Sequence, residues 1–477
     1  MLENRSFDHI FGYRPGVRGL TGNERNLLDP SRPESSSNPA YVADANAPYA
    51  VLVGQGPGHS IQATNYQLCN DRGGPSPRLP ATNDGFVRNY GDELFHDRIP
   101  NPTPQQIHVV MQAFAPTRLP SINALADAFC LCDNWYSEVP GPTQPNRLYM
   151  HAATSLGAGL NEWTRQFTTR TVYDNLQANG LTWATYSFDQ NEVLEFSQLK
   201  ASVACFKSFE HDFVPDVQAG KLANYSFIIP RFLNSYNAAG VTHGMANSQH
   251  APEDARYADN LIADVYEGLR ASPASWASTV LIVTYDEHGG FYDHVIPPAE
   301  GVPNPDGKNS PQPGDPPYAP SFAFDRLGLR VPAIIASPWV EAGRVDSTQY
   351  QHTSVLSTVK KLFGLPGFLT KRDQSANSFE SVLNLSSART DTPLTLPRVQ
   401  MPQVSVSIDD PRYPANQPLD RDQCALVQRV YHLTKDSQPA GFTAAILPIR
   451  QGDAHEFVRQ SLQRYLAGTQ ARGGVDV

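Results

Sequence analysis

The stretch VLIVTYDEHGGFYDHV, residues 280–295, restricts the fold more than any other part of the chain. An apolar, β-branched run leads straight into Asp286 and Glu287, then His288, two glycines, and Asp293-His294. Such a run reads as a buried strand, and a strand without polar alternation needs cover on both faces. In open α/β sheets, ligands collect beyond the carboxyl ends of strands. Two adjacent carboxylates there repel each other unless a cation neutralises them. Oxygen ligands suit a hard or borderline divalent ion. The plainer alternative is a solvated acidic turn with hairpin glycines. The strand before it and the Gly-Gly-aromatic-Asp-His sequence after it favour a metal site.

Three more short runs predict strands: Leu181–Ser187, Tyr225–Ile229 and Val331–Ser337. Between the second of these and the strand Val280–Tyr285, the residues Tyr257, Leu261, Val265 and Leu269 recur every four positions. That spacing predicts an amphipathic helix over 255–270. The expected fold class is α/β, with a mostly parallel sheet covered by helices on both faces. Strand 225–229, helix 255–270 and strand 280–285 form its best-defined unit. Residues 20–105 predict loops and small hairpins, and Pro297–Pro320 a long proline-rich lid or binding loop. Two helical stretches near the C-terminus, CALVQRVYHL and GDAHEFVRQSLQRYLAG, predict a small helical region over 421–477. An irregular linker, 386–420, would join it to a catalytic domain over 1–385.

A formal net charge of −10, without lysine-rich blocks, argues against nucleic acid as a partner. Cys69, Cys130, Cys132, Cys205 and Cys424 are too few and too scattered for a disulfide framework. Cys130-Leu-Cys132 falls in a run that reads as helix, and its thiols read as small buried hydrophobes. No apolar run reaches the roughly 20 residues that cross a bilayer, and the first dozen residues do not resemble a secretory leader. The chain as it stands reads as soluble, either cytoplasmic or, if its true start lies upstream, secreted.

The second chemical signal is VPGPTQPNRLYMHAATS. Thr143 lies between prolines that stiffen its backbone, and Asn146 and Arg147 are suited to binding an oxyanion. A threonine hydroxyl needs a base or a metal to become a nucleophile, and by itself the segment reads equally as a capped turn. His59 in GPGHS, His250 in NSQHAP and His352 in QYQHTS follow small or polar residues rather than an apolar face. They are candidates for proton transfer or for binding substrate.

Together these segments resemble the phosphoesterase family of bacterial phospholipases C, acid phosphatases and plant non-specific phospholipases C. The landmarks are ENRSFDH at Glu3–His9, TQPNR at Thr143–Arg147, DEHGGFYDHV at Asp286–Val295 and GLRVPAIIASPW at Gly328–Trp339. GVPNPDG at Gly301–Gly307 and the segment VKKLFGLPGFLTKRD at Val359–Asp373 look closest to the plant-type branch. The resemblance implies an alkaline phosphatase/sulfatase-like fold and one divalent metal ion (calcium, magnesium, zinc or iron). Glu3, Asn4, Thr143, Asp286 and Glu287 would hold that ion. It further implies Thr143 as nucleophile, His59 and His250 as catalytic histidines, and Asn146, Arg147, His294 and His352 in contact with substrate. The expected reaction is phospholipase C-type hydrolysis of glycerophospholipids through a phosphothreonine. A phosphomonoesterase and a non-catalytic phosphate- or lipid-binding protein are the alternatives. The expected partners are a phospholipid or other phosphate ester and the membrane surface. Relatives carry an apolar strand immediately before ENRSFDH, which this chain lacks ahead of residue 1. Glu3 and Asn4 are therefore expected to lose the backbone ladder that would position them.

Overall fold

The computed structural model describes residues 1–477 apart from 52–53, 55, 71–80, 162–164, 237–241, 402–409, 411–412, 440 and 474–477. The chain divides into two compact units, residues 1–161 with 249–399, and 162–248 with 400–477. This is a different partition from the expected domain over 1–385, because residues 162–248 group with the C-terminal helices.

The first unit is built on a four-stranded sheet in the order Leu281–Thr284, Ala333–Ala336, Cys130–Cys132, Arg344–Asp346. Ala333–Ala336 and Cys130–Cys132 are buried along their whole length, which explains their unbroken apolar sequence. Cys130-Leu-Cys132 is thus a strand rather than part of a helix. The sheet is mixed, not mainly parallel: Ala333–Ala336 pairs antiparallel with both neighbours, and only Arg344–Asp346 joins in parallel. The helix Ala255–Arg270 forms as its four-residue apolar spacing predicts. Its buried Asp259 accepts the Ser121 and Ile122 amides, each at 3.0 Å, and so caps the helix Pro120–Ala128 from a distance.

Leu2 lies beside the end of strand Leu281–Thr284. Its amide donates to the Thr284 carbonyl at 2.8 Å, and its carbonyl accepts the Asp286 amide at 3.1 Å. The expected loss of the ladder at Glu3 and Asn4 is corrected by this pair of bonds, since one residue of parallel bridging sets their direction.

Residues 20–105 contain the expected hairpin, Arg25–Leu27 with Ala40–Val42, but also two helices, Ile61–Cys69 and Phe86–His96. Phe86, Val87, Tyr90 and Leu94 line the buried face of the second helix, a periodicity obscured by the surrounding glycines and asparagines. The loop 297–320 is anchored rather than free. Arg372 Nε donates to the Pro303 carbonyl at 2.9 Å, the Lys371 amide to Pro305 at 3.2 Å, and the Thr154 hydroxyl to Asp306 at 2.8 Å. Part of the expected linker falls outside the described residues; of the remainder, Pro393 accepts the Tyr266 hydroxyl and Arg398 pairs with Asp264 and Glu267.

In the second unit, Trp183–Ser187 sits between Phe206–Ser208 and Tyr225–Ile229, parallel to both. Tyr225–Ile229 and Leu281–Thr284 therefore belong to different sheets, and the expected strand–helix–strand unit does not exist. The two C-terminal helices form where expected, as Arg421–Thr434 and Gln451–Gly473. Val427, Val430 and Val458 pack there with Leu194 and Leu233. Among the described residues, no helix is long and apolar enough to cross a membrane.

Candidate active site

The site lies where strand Leu281–Thr284 gives way to Asp286 and Glu287, both fully buried. Asn4 adopts a left-handed backbone, φ 58°, uncommon for a residue with a side chain and often retained at functional positions. That turn points the Asn4 amide at Asp286 Oδ1, 3.1 Å away. Asp286 Oδ1 also accepts the Glu287 amide at 2.7 Å, and Oδ2 accepts Arg147 Nε at 3.0 Å. Arg147 Nη2 reaches Glu3 Oε1 at 3.2 Å, so its fork spans the two carboxylates that flank Asn4.

Thr143 opens the helix Thr143–Ala152 and donates its hydroxyl toward Asn4 Oδ1 at 3.4 Å. Asn146 shapes the turn ahead of it. Its Oδ1 accepts the Val139 amide at 3.0 Å, and its Nδ2 donates to the carbonyls of Val139, Gly141 and Pro142. Asn146 was expected to touch substrate; instead it is buried with its amide committed to the backbone, and it aims Thr143. His59 lies on the other side of Asn4. Its Nδ1 donates to the Pro57 carbonyl at 3.0 Å, since a carbonyl only accepts, and this leaves Nε2 to accept from Asn4 Nδ2 at 3.4 Å. The His250 ring stands edge-on to His59, centroids 5.8 Å apart.

His352 and His294 are placed differently from expectation. His352 is buried beneath the site: Nε2 donates to the Asp286 carbonyl at 2.7 Å, and Nδ1 accepts from Trp135 Nε1 at 3.4 Å. Both ring nitrogens being engaged by protein, it supports Asp286 rather than substrate. His294 belongs to a second cluster, where Asp8 Oδ2 accepts its backbone amide at 2.7 Å and its Nδ1 at 2.6 Å. Asp8, Asp293 and His294 bring ligand-type atoms within 4.8 Å of one another, a possible metal-binding group by spacing. Arg330, unrecognised in the sequence, meets both carboxylates there, Asp8 at 2.9 Å and Asp293 at 3.0 Å. Its position within a strand-like apolar segment offered no signal. That guanidinium pairs both acids there, as Arg147 pairs Glu3 and Asp286 in the first cluster.

The electrostatics of the first cluster differ. Glu3, Asp286 and Glu287 are buried together, and burial raises the pKa of each. For Glu3 and Asp286 the Arg147 charge offsets part of the rise. Glu287 is pushed up to about 8, and its Oε1 is buried without a hydrogen-bond partner. A solitary buried carboxylate oxygen costs free energy unless a cation meets it. The Asn4 amide oxygen and the Thr143 hydroxyl, 3.4 Å apart, and the three carboxylates offer oxygen ligands alone, a donor set that suits a hard divalent cation.

Comparison with known proteins agrees with this chemistry. Residues 1–366 match the Phosphoesterase family, and the chain belongs to it. Members of this class are hydrolases acting on phosphoester bonds. Among named proteins, the chain is similar to non-specific phospholipase C3 of Arabidopsis thaliana, 37% identical over 83% of this chain and 75% of the relative. Non-specific phospholipase C6 of the same plant is 34% identical over 98% of this chain and 86% of its own length. Phospholipase C B of Mycobacterium tuberculosis is 27% identical over 81% and 77%.

Proposed function

We propose that the protein is a metal-dependent phospholipase C, cleaving glycerophospholipids into diacylglycerol and a phosphorylated headgroup, with Thr143 as nucleophile. The observation that carries this reading is the convergence of Thr143, Asn4 and Asp286 at hydrogen-bond spacing from three distant segments. Glu3, Asn4, Thr143, Asp286 and Glu287 would hold the metal, which when bound lowers the pKa of a ligating hydroxyl and neutralises phosphate charge. Thr143 sits at the first position of its helix, directly after Pro142, with its hydroxyl turned toward Asn4.

In the first half-reaction a bond forms between Thr143 Oγ1 and phosphorus, and the bond from phosphorus to the glycerol oxygen breaks. The Thr143 proton passes to a neighbouring base, for which His59 Nε2, an acceptor 3.4 Å from Asn4 Nδ2, is the candidate. The departing alkoxide takes a proton from the His59–His250 pair. In the second half-reaction water attacks phosphorus and gives a proton to the histidine pair, the Thr143 oxygen leaves and takes a proton back from it, and the phosphorylated headgroup is released. The substrate arrives in a lipid surface, so peripheral membrane contact is part of the proposal.

Incubation with phosphatidylcholine vesicles should release phosphocholine, and Thr143→Ala should lower turnover by at least about 10³-fold. Thr143→Ser keeps the hydroxyl and should retain measurable activity. Free phosphate released from monoesters, with no phosphocholine from lipid, would overturn the phospholipase reading in favour of a phosphomonoesterase.

A further inference from the structure

Gln249 marks where the chain returns to the first unit after residues 162–248, and it immediately precedes His250. It is 1% exposed and has a left-handed backbone, φ 78°, unusual for a buried residue that is neither glycine nor asparagine. Such a conformation costs free energy and persists only when its surroundings over-determine it. Here three contacts do so. Arg5 Nε donates to the Gln249 carbonyl at 2.9 Å. Gln249 Nε2 donates to the Ala255 carbonyl at 3.0 Å, and its Oε1 accepts the Tyr285 hydroxyl.

The anchoring groups themselves belong to the site. Arg5 follows Asn4 directly, and Tyr285 directly precedes Asp286. Arg5 is buried, its guanidinium 4.6 Å from the centre of the Phe291 ring, and its Nη2 has no hydrogen-bond partner. Its bond to the Gln249 carbonyl is therefore the polar contact that gives this costly buried cation a direction. The same two segments that supply Asn4 and Asp286 thus hold the residue before His250.

We infer that Gln249 is a positioning residue for His250: its clamped left-handed backbone, tied to Arg5 and Tyr285, sets the imidazole opposite His59 and in register with Asn4 and Asp286. The inference rests on the reading of His250 as a participant in phosphoryl transfer. It predicts that the backbone conformation at 249 matters, rather than the amide side chain alone.

The test uses the full chain and a soluble phosphodiester, with kcat, KM and the pH dependence of kcat measured together. Gln249→Met loses both side-chain anchors while retaining the left-handed strain. Gln249→Gly loses the same anchors but adopts φ 78° freely and keeps the carbonyl for Arg5. The expected result is a fall in kcat of about 10- to 100-fold for Met, with little change in KM, and of less than about fivefold for Gly. In a His250→Ala background, Gln249→Met should produce no further loss, because the two changes remove one function. Equal losses for Met and Gly, wild-type turnover for Met, or additive losses with His250→Ala each overturn the inference. If Gln249→Met does not fold, Tyr285→Phe removes one anchor with little change of shape. It should lose kcat several-fold in the wild-type background and nothing further beside His250→Ala; wild-type turnover there overturns the inference. Full activity of His250→Ala alone defeats the reading of His250 instead, so the two failures are separate results.

Discussion

At the scale of single residues, the site is an exercise in placing charge where water is absent. Arg147 bridges Glu3 and Asp286, and both carboxylates are buried with it. Arg147→Met should destabilise the protein by about 3–5 kcal/mol, because it strands charges that cannot regain water; the urea midpoint reports this. Arg147→Lys should restore only part of the loss, since a single ammonium cannot span both acids as the fork does. Gly289 is constrained by space as well as conformation. With φ 66°, an added Cβ would stand 2.1 Å from the Asn4 carbonyl oxygen. Gly289→Ala should therefore cost more than about 1 kcal/mol in a thermal melt and weaken metal uptake measured by direct titration. The two glycines were plain in DEHGG; the atom that Gly289 makes room for, almost three hundred residues away in sequence, was not.

At the scale of elements, helix ends and strand ends carry the residues of the proposed site. Thr143 begins a helix, Asp286 follows a strand, and His352 stands at the start of the helix Thr353–Leu362 with its ring under Asp286. Burial holds the His352 pKa near 4, below the 6.5 of a free histidine. Its neutral form therefore stabilises the fold fully above about pH 6.5, and this contribution is lost as pH falls toward 4. The shift corresponds to about 3 kcal/mol. Urea unfolding between pH 7 and pH 4 should show that loss, and His352→Gln, which does not titrate, should flatten the dependence. Strand and helix periodicities were legible for Leu281–Thr284, Tyr225–Ile229 and Ala255–Arg270. Strand partners were not, because apolar runs say that an element is buried without saying beside what. For that reason the mixed sheet and the separation of Tyr225–Ile229 from Leu281–Thr284 emerged only in the fold.

At the scale of the whole molecule, buried arginines tie distant segments together within the first unit. Arg372 donates to the carbonyls of Pro303, Glu138 and Phe324 and to Glu138 Oε1, drawing four segments to one point. Glu138 in turn accepts the Thr353 amide at 3.0 Å and stands just ahead of the turn that presents Thr143. Arg372→Met should cost about 3–5 kcal/mol and lower turnover even in the fraction that remains folded, measured by circular dichroism and activity on the same sample. By itself, the sequence determined the family, the strand that ends in Asp286 and Glu287, and the residue types able to hold a cation and attack phosphorus. Those are local properties, written in short motifs and in the periodicity of burial. Tertiary structure alone decided that Asn146 and His352 support the site instead of touching substrate, that Arg330 occupies the Asp8–Asp293 pair, and that Gln249 is locked beside His250. Each of those roles depends on which buried donor meets which buried acceptor, and that pairing is set by the folding of segments far apart in the chain.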